Sequence, residues 1–376
     1  MRNIIRELRG VTDMKRLYVI SGVTGMTGNE LVRQILAEKK DDFIIGFDNF
    51  FCSSIETVCD CLGSERFVFL EYDLNDHTQM KAVEKCVVAL SAGKCFAEAR
   101  ELLHEYGGGA PTQGSVPDDY TGSFDEIVYI NCAAVVHTEH FYHVYETYET
   151  NVVSMNEFLQ QAIRVSARKF INCSTSEIYS MASWNESGGV SESDFISMAD
   201  AEHSQRTSYA CGKMLTEFFM KDAVDEGRIL GCSIRFANVY SRNELMPKHI
   251  VPHIFNSLKK DGKVVLLENS KKNRRTFLNN YDSCSAVLAL VNTDSALDGT
   301  IYNVATDEEV TIVELVRMIA EKMGISEPVI EFEGYRESDP ERRLLSTKKI
   351  RERTGWKPVV SLDWGLTECA DYYVNK

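Results

Sequence analysis

The chain has 376 residues, of which 44% are hydrophobic and 26% charged, as in ordinary globular proteins. Its 56 acidic and 41 basic residues leave a formal net charge of −15, which argues against a nucleic-acid partner because that partner requires a basic surface. No apolar run approaches the ~18 residues that a membrane span needs, and the 11 cysteines are odd in number and scattered, unlike a disulfide framework. We therefore expect a cytoplasmic protein with no membrane partner.

The first half of the chain alternates between strand and helix patterns. Residues 1–15 are polar and predict an N-terminal extension. Strands are predicted at 16–20, 43–47 and 67–71, with apolar residues at helical spacing between the first two. Further strands are predicted at 126–131, 169–174 and 232–236, with helices around 148–165 and 208–226. This alternation is typical of a doubly wound parallel sheet.

Two segments depart from this alternation. Residues 86–123 hold one helical piece followed by many turn residues, and we predict that they form an insertion on the surface. After Asn238 the elements become shorter and mixed. We therefore predict an α/β fold, with a Rossmann-type dinucleotide-binding domain over 16–240 and a smaller, interleaved α+β C-terminal substrate lobe over 241–376.

A glycine-rich turn follows the first predicted strand. Gly22, Gly25 and Gly28 have the spacing at which backbone N–H groups at a helix N-terminus bind a pyrophosphate. Asp48 ends the second strand, where a carboxylate accepts ribose hydroxyls and repels a 2′-phosphate, so the sequence favours NAD over NADP. Asp73, one strand later, is a candidate for the adenine edge. The predicted cofactor site also includes Thr24, Met26, Thr27, Asn49, Leu74, Asn151, Tyr209 and Lys213.

Two further segments carry candidate catalytic groups. Tyr209 and Lys213 lie four residues apart in a predicted helix, so they share one face, and the lysine favours a phenolate that removes a proton from a hydroxyl. Thr175, Ser176 and Glu177 follow an apolar strand at the edge where open α/β folds bind ligands. The alternative for this run is a helix cap, but no amphipathic helix is predicted after it.

The order of these motifs resembles the extended short-chain dehydrogenases/reductases that act on nucleotide sugars. The resemblance covers about residues 16–375 except the insertion. It rests on the glycine motif, Asp48, Asn131-Cys-Ala-Ala134, Tyr148-Glu-Thr-Asn151, Ser174-Thr-Ser-Glu-Ile-Tyr179, Tyr209-Ala-Cys-Gly-Lys213, Ile234-Arg-x-x-Asn-Val-Tyr240, Arg275-Thr-Phe277, Ile301-Tyr-Asn303, Arg342 and Gly355-Trp-Lys-Pro358.

The resemblance implies roles for individual residues. Thr175, Tyr209 and Lys213 would oxidise the sugar, and Ala133 and Ala134 would lie along the NAD. The substrate, a nucleoside-diphosphate sugar, would be held by His137, Asn238, Arg275 and Arg342. The helices around 148–165 and 208–226 resemble those of a dimer interface in relatives, so a homodimer is expected.

The reaction depends on the fate of a 4-keto sugar intermediate. The Thr-Ser-Glu run resembles 4,6-dehydratases, in which Glu177 would remove the proton from carbon 5 and Ser176 would assist the leaving hydroxyl. A hexuronate decarboxylase and a 4-epimerase are the alternatives, the decarboxylase requiring an extra cation near the substrate carboxylate. Two alternatives belong to other functional classes: a short-chain reductase of a non-nucleotide ketone, and a catalytically silent dinucleotide sensor.

His137, His140 and His143 invite a zinc interpretation because of their regular spacing. A zinc site requires a fourth ligand in a clear frame, and the sequence offers none, so we predict no metal and a loop that lines the ligand pocket.

Overall fold

A computed structural model describes residues 14–38, 41–109, 111–180, 189–337 and 339–375. Most of the predicted N-terminal extension, residues 1–13, lies outside the described residues. The strands are β1 (Arg16–Ser21), β2 (Phe43–Asp48), β3 (Phe67–Glu71), β4 (Thr112–Gln113), β5 (Glu126–Asn131), β6 (Lys169–Thr175), β7 (Leu230–Phe236), β8 (Val239–Tyr240), β9 (Lys263–Leu266), β10 (Arg274–Thr276), β11 (Leu278–Asn279), β12 (Asp298–Val304), β13 (Glu309–Thr311), β14 (Val329–Phe332) and β15 (Arg342–Arg343).

The helices connect and cover these strands. They are α1 (Met26–Glu38), α2 (His77–Ser91), α3 (Phe96–Tyr106), α4 (Val144–Tyr148), α5 (Met155–Arg164), α6 (Thr207–Asp225), α7 (Ile250–Asp261), α8 (Asn280–Val291), α9 (Ile312–Lys322), α10 (Lys348–Thr354) and α11 (Leu362–Asn375). A π-helical segment, Glu149–Ser154, joins α4 to α5, and a short 3-10 turn, Ser176–Tyr179, follows β6. None of the helices in the described ranges is long and apolar enough to cross a bilayer.

An eight-stranded sheet organises the fold and confirms the predicted fold class. Its spatial order is β12-β7-β6-β5-β1-β2-β3-β4. β1 pairs in parallel with both β2 and β5, so the strand order reverses beside β1. All six residues of β1 are buried, as expected for a parallel strand covered on both faces. Ligands bind at the carboxyl ends of the strands where such an order reverses, and the glycine motif follows β1 at that point.

The predicted surface insertion is wrong in its extent and in its exposure. Residues 86–91 belong to α2, and α3 buries Phe96, Ala99 and Leu103 in the core of the sheet domain. β4 then adds an antiparallel strand to the edge of β3. Part of the segment therefore belongs to the core, because apolar residues at helical spacing bury one face of α3.

The chain divides into two compact units whose limits differ from the predicted boundary at residue 240. The first unit holds residues up to 173, 215–233 and 287–300, and the second holds 174–214, 234–286 and 301 onward. The predicted interleaving is therefore more extensive than one boundary allows. One reason is that Tyr179 and Ala237, which follow β6 and β7, are buried with Val190, Ala305 and Leu345 of the second unit.

Candidate active site

The glycine motif forms the turn between β1 and α1. Gly22 has φ +70°, and a Cβ there would lie 2.6 Å from the backbone nitrogen of Ala133. A Cβ on Gly28, in the first turns of α1, would overlap the carbonyl oxygen of Gly22. Both positions therefore require glycine. The first turn of α1 carries no acidic side chain, so its N-terminal N–H groups suit an anion.

Asp48 ties the glycine turn to the loop after β2. Its carboxylate accepts hydrogen bonds from the backbone nitrogens of Thr24 (3.1 Å) and Phe50 (2.9 Å). Asn49 accepts one from the nitrogen of Phe51 at 3.0 Å. These bonds fix Asp48 beside the turn, and its contact with a ribose stays a prediction.

A cavity of about 280 Å³ opens at these strand ends. Predicted cofactor residues line it: Gly22, Gly25, Asp48, Asn49, Asp73, Leu74, Ala133 and Ala134. Thr24, Met26, Thr27 and Gly28 belong to the same turn and the start of α1. His137, predicted to bind substrate, is buried in the loop after β5, 5.7 Å between ring centroids from His140. The cavity thus gathers predicted residues from four separate strand ends.

A π-helical segment holds two of the loops that line this cavity. The Asn151 side chain accepts from the nitrogen of Val135 (2.7 Å) and donates to its carbonyl oxygen (2.9 Å). Asn75 donates to Thr150 Oγ1 at 2.9 Å and accepts from Ser154 Oγ at 2.7 Å. The side-chain amide of Asn151 is hydrogen-bonded to the backbone of Val135, so Asn151 positions this loop. A direct contact between Asn151 and a cofactor stays a prediction. The sequence reading missed Asn75, Thr150 and Ser154.

Tyr209 and Lys213 lie in the first half of α6 at the predicted spacing, and both side chains are buried. Thr175 ends β6, where its hydroxyl accepts from the nitrogen of Glu177 at 3.2 Å. The alternative role of this run as a cap is therefore also present, on a 3-10 turn rather than on a longer helix. The hydroxyl proton of Thr175 stays available for another acceptor, so capping and catalysis are compatible.

Two arginines surround the Glu177 carboxylate. Arg343 donates to its Oε1, and Arg206 lies 3.2 Å from the same oxygen. Burial favours the neutral acid, but both arginines oppose it and lower the pKa of Glu177 to about 2. Glu177 is therefore ionised at neutral pH.

Side chains alternate between the two faces of β10 and β15. Arg274 and Arg275 on β10 therefore lie on opposite faces, as do Arg342 and Arg343 on β15. Arg275 pairs in register with Arg343, and Arg275 Nη2 donates to Asp339 at 3.0 Å. Burial and the charge of Arg343 lower the pKa of Arg275 to about 10. Arg342 lies on the other face and donates to Glu309 at 2.8 Å.

The structure thus brings together Arg275 and Arg343, rather than the predicted pair of Arg275 and Arg342. Because side chains alternate along a strand, a one-residue change of position reverses the face. Asn238 lies nearby in the second unit and donates to the carbonyl oxygen of Thr276 at 3.0 Å. The ion-pair cluster around Glu177 and Arg343 also contains Arg206 and Asp339, and neither Arg206, Arg343 nor Asp339 was predicted from the sequence. Arg206 lies three residues before the Tyr209–Lys213 motif and outside it, so no motif marked any of the three.

Within the described residues, no group of three or more His, Cys, Asp or Glu side chains is arranged to hold a metal ion. The three histidines after β5 belong to the loop beside the cavity, where His140 contacts the ring of Phe51 at 4.9 Å between centroids.

Comparisons with known proteins show what this chain is similar to. A family model described as GDP-mannose 4,6 dehydratase matches residues 121–369. The dTDP-D-glucose 4,6-dehydratase of Mus musculus is 23% identical over 96% of this chain and 88% of its own length. UDP-glucuronic acid decarboxylase 1 of Xenopus tropicalis is 22% identical over 96% of this chain and 72% of its own length. The crystal structure of the dTDP-glucose 4,6-dehydratase DesIV from Streptomyces venezuelae, which contains NAD, superposes with a TM-score of 0.73 at 20% identity, covering 96% of this chain and 97% of that one.

Proposed function

Because the chain belongs to the GDP-mannose 4,6 dehydratase family of extended short-chain dehydrogenases/reductases, we propose that it is an NAD-dependent nucleoside-diphosphate-hexose 4,6-dehydratase. Relatives in this family act on nucleotide sugars by dehydration, decarboxylation or 4-epimerisation. The observation that carries the dehydratase is an ionised Glu177, two residues after Thr175 in the same turn.

The residues around the cavity fit NAD. The glycine turn leaves space beside backbone N–H groups for a pyrophosphate, and Asp48 lies where ribose hydroxyls require an acceptor. NAD, when bound, supplies the redox chemistry by taking a hydride from the sugar and returning it. The carboxylate of Asp48 disfavours a 2′-phosphate, which supports NAD rather than NADP.

Tyr209, Lys213 and Thr175 act on the 4-hydroxyl. Tyr209 takes its proton, Lys213 stabilises the resulting phenolate charge, and Thr175 orients the oxygen through a hydrogen bond. The proton leaves oxygen 4 as the hydride leaves carbon 4, so the product of this step is a 4-ketone.

Glu177 and Ser176 act on the ketone. The 4-ketone acidifies the carbon 5 proton, which Glu177 accepts as the electron pair forms the 5,6-double bond and the carbon 6–oxygen bond breaks. A proton from water, relayed through the Ser176 hydroxyl, passes to the departing hydroxyl, which leaves as water, and Ser176 ends the step protonated. Glu177 returns its proton to carbon 5, and bound NAD would supply the hydride for carbon 6, which gives a 4-keto-6-deoxy sugar.

One observation favours a second candidate, an NDP-hexuronate decarboxylase. Such a substrate requires a cation near its carboxylate, and Arg206 and Arg343 lie beside Glu177. The same 4-ketone would stabilise the carbanion that forms when carbon dioxide leaves.

Mass spectrometry of the products separates these functions. The purified protein would be incubated with NAD and a panel of nucleotide hexoses and hexuronates. Loss of one water from a hexose is the expected result, and loss of carbon dioxide from a hexuronate would establish the decarboxylase instead. An unchanged mass with a new retention time would indicate an epimerase, and no conversion of any member would favour a reductase of a non-nucleotide ketone.

Two variants test the assigned roles. Tyr209→Phe should lower kcat for every conversion by about 10²–10⁴, the usual contribution of a general base. Glu177→Gln should abolish dehydration yet still allow the transient oxidation at carbon 4, detected as NADH absorbance. Equal loss of both steps in Glu177→Gln would argue against its role as the carbon 5 base.

We also propose a homodimer. Tyr145 and Tyr148 on α4, Val153 in the π-helical segment and Phe218 on α6 expose large apolar surfaces, which suits a face covered by a second copy. Light scattering should give the mass of a dimer for the wild type and of a monomer for Phe218→Glu. Val88→Glu, on an exposed apolar position of α2, is the matched control and should stay dimeric.

A further inference from the structure

Three separate sequence motifs meet at the phenol of Tyr179. Tyr179 ends the 3-10 turn after β6, and its side chain is buried. Its hydroxyl accepts a hydrogen bond from Arg235 Nη1, on β7, at 2.6 Å and donates one to Asn303 Oδ1, on β12, at 3.0 Å. None of these three residues takes part in the proposed chemical steps, so the chemistry alone does not account for this network.

The side-chain amide of Asn303 extends the network to the residues after β15. It donates to the carbonyl oxygens of Val190 (3.0 Å) and Ser346 (3.3 Å). The backbone nitrogen of Ser346 donates to the carbonyl oxygen of Val190 at 2.9 Å. Tyr179 and Val190 are also buried in one apolar cluster. The last residue of the turn is therefore joined to the stretch that directly follows Arg343.

Two links thus connect the same turn to the same part of the chain. The first is the ion pair between Glu177 and Arg343, and the second passes from Tyr179 through Asn303 to Ser346. Glu177 and Tyr179 both belong to the Ser176–Tyr179 turn. A side chain is held in one orientation when the residues around it are locked by packing and hydrogen bonds. The second link therefore limits how the turn can rotate and how the carboxylate meets the guanidinium.

We propose that Tyr179, acting through Asn303, is a positioning residue that holds the turn so that the Glu177 carboxylate faces carbon 5 of the sugar. The inference rests on the proposed function, because it assigns Tyr179 to the elimination step rather than to the oxidation at carbon 4. Thr175 ends β6 and is held by that strand, so its position depends less on Tyr179. Displacing a reacting group by about 1 Å can cost ~10² in rate, so a loosened turn should slow the step that uses Glu177.

Tyr179→Phe keeps the buried ring and removes the hydroxyl that joins Arg235 to Asn303. Stopped-flow absorbance would follow NADH formation, which reports the oxidation at carbon 4, and mass spectrometry of quenched samples would follow the loss of water. Dehydration should slow roughly tenfold, while NADH formation changes by less than about threefold, so NADH accumulates above the wild-type level. An equal loss of both steps, or an unchanged rate of dehydration, would contradict the proposal.

A second measurement requires no turnover. Urea unfolding at pH 7 of Tyr179→Phe, Glu177→Gln and the double variant gives a double-mutant cycle. If the tyrosine holds the carboxylate against Arg343, Tyr179→Phe should cost less stability when Glu177→Gln is already present, because the ion pair is then absent. Additive effects would mean that Tyr179 stabilises the protein without acting on Glu177, and the proposal would be wrong.

Tyr373→Phe is the matched control. This tyrosine on α11 is also buried, and its hydroxyl donates to the carbonyl oxygen of Glu244 at 2.9 Å. The variant should leave the ratio of NADH formation to dehydration unchanged, and its effect on stability should add to that of Glu177→Gln. Asn303→Ala tests the link from its other end without adding a charge. It should reproduce both the accumulation of NADH and the non-additive stability of Tyr179→Phe.

The outcomes also separate this proposal from the proposed function. If the wild type converts no sugar and forms no NADH, the proposed reaction is wrong and the assignment to carbon 5 falls with it. The double-mutant cycle still decides in that case whether Tyr179 positions Glu177. If hexoses lose water in the wild type but both steps fall together in Tyr179→Phe, only the role of Tyr179 is wrong.

Discussion

Arg343 donates a hydrogen bond to the carboxylate of Glu177 although 166 positions separate the two residues in the chain. This ion pair joins the turn after β6 to β15, within the second compact unit. It holds an ionised carboxylate within the Thr175–Glu177 run that is proposed to act on the sugar. The pair therefore contributes both to the stability of the unit and to the state of the candidate base.

The first prediction concerns the stability of the protein in acid. The pKa of Glu177 is about 2 in the folded chain and 4.5 in the unfolded chain, so its contribution is present above pH 4.5 and is lost as pH falls toward 2. Between pH 6 and 3.5 the wild type should lose about 1 kcal/mol more free energy of unfolding than Glu177→Gln. Urea unfolding at several pH values measures this difference.

The comparison has an internal control. Glu105→Gln removes an exposed carboxylate on α3 and should leave the wild-type pH dependence unchanged. If the wild type and Glu177→Gln follow parallel curves in acid, the arginines do not hold the carboxylate in solution as they do in the structure.

The second prediction separates the folding role of the glycine motif from its binding role. A Cβ on Gly28 would overlap backbone, whereas one on Gly25 meets nothing closer than 3.3 Å. Gly28→Ala should therefore lower the free energy of unfolding by about 3 kcal/mol through backbone displacement. Gly25→Ala should fold normally but bind NAD at least tenfold more weakly, because Gly25 lines the cavity.

Thermal unfolding and NAD titration are both needed for this pair. Wild-type NAD affinity in Gly25→Ala would show that the pyrophosphate does not approach this turn. Normal stability in Gly28→Ala would mean that α1 and the turn move apart at little cost.

The third prediction concerns the choice between NAD and NADP. Asp48→Asn removes the charge that repels a 2′-phosphate and keeps an oxygen acceptor for one of the two backbone donors, Thr24 and Phe50, at the cost of the other bond. The ratio of NADP to NAD affinity should rise about tenfold or more, the effect of ~1.4 kcal/mol. Asp73→Asn, which alters another carboxylate of the same cavity, should leave that ratio unchanged. Dissociation constants for both dinucleotides measure it, and an unchanged ratio in Asp48→Asn would remove Asp48 from the ribose site.

The sequence was sufficient for the features that depend on local pattern. The glycine spacing, the strand end at Asp48 and the four-residue step from Tyr209 to Lys213 are each readable within one motif, and the structure places them as expected. Arg342 illustrates the limit, because the choice between it and Arg343 depends on the register of β15 against β10. That register is set by pairing between distant segments, which periodicity does not encode.

The segment 86–123, predicted as a surface insertion, also depends on contacts that local pattern does not encode. Its many turn residues are typical of a surface loop, but Phe96 and Leu103 become buried because α3 packs on α2. Likewise, the pattern around 148–165 predicts one helix, whereas the chain forms a π-helical segment there. Tertiary contacts of Asn151 with Val135 accompany that irregularity, and π-helical turns often coincide with functional sites.

The last prediction follows from the two hydrogen bonds between Asn151 and Val135. The side chain is buried, its oxygen accepting and its nitrogen donating. Asn151→Asp keeps the shape but replaces the donor by an oxygen that faces the carbonyl of Val135. The cost should be about 1–3 kcal/mol in the free energy of unfolding, because one buried acceptor loses its donor and a charge enters a buried position. The loop that carries Ala133 and Ala134 would also lose its anchor, so NAD affinity should fall with stability. Asn156→Asp, on a partly exposed position of α5, is the matched control and should change neither measurement appreciably. Loss of NAD affinity in Asn151→Asp with unchanged stability would instead indicate that Asn151 contacts the cofactor directly.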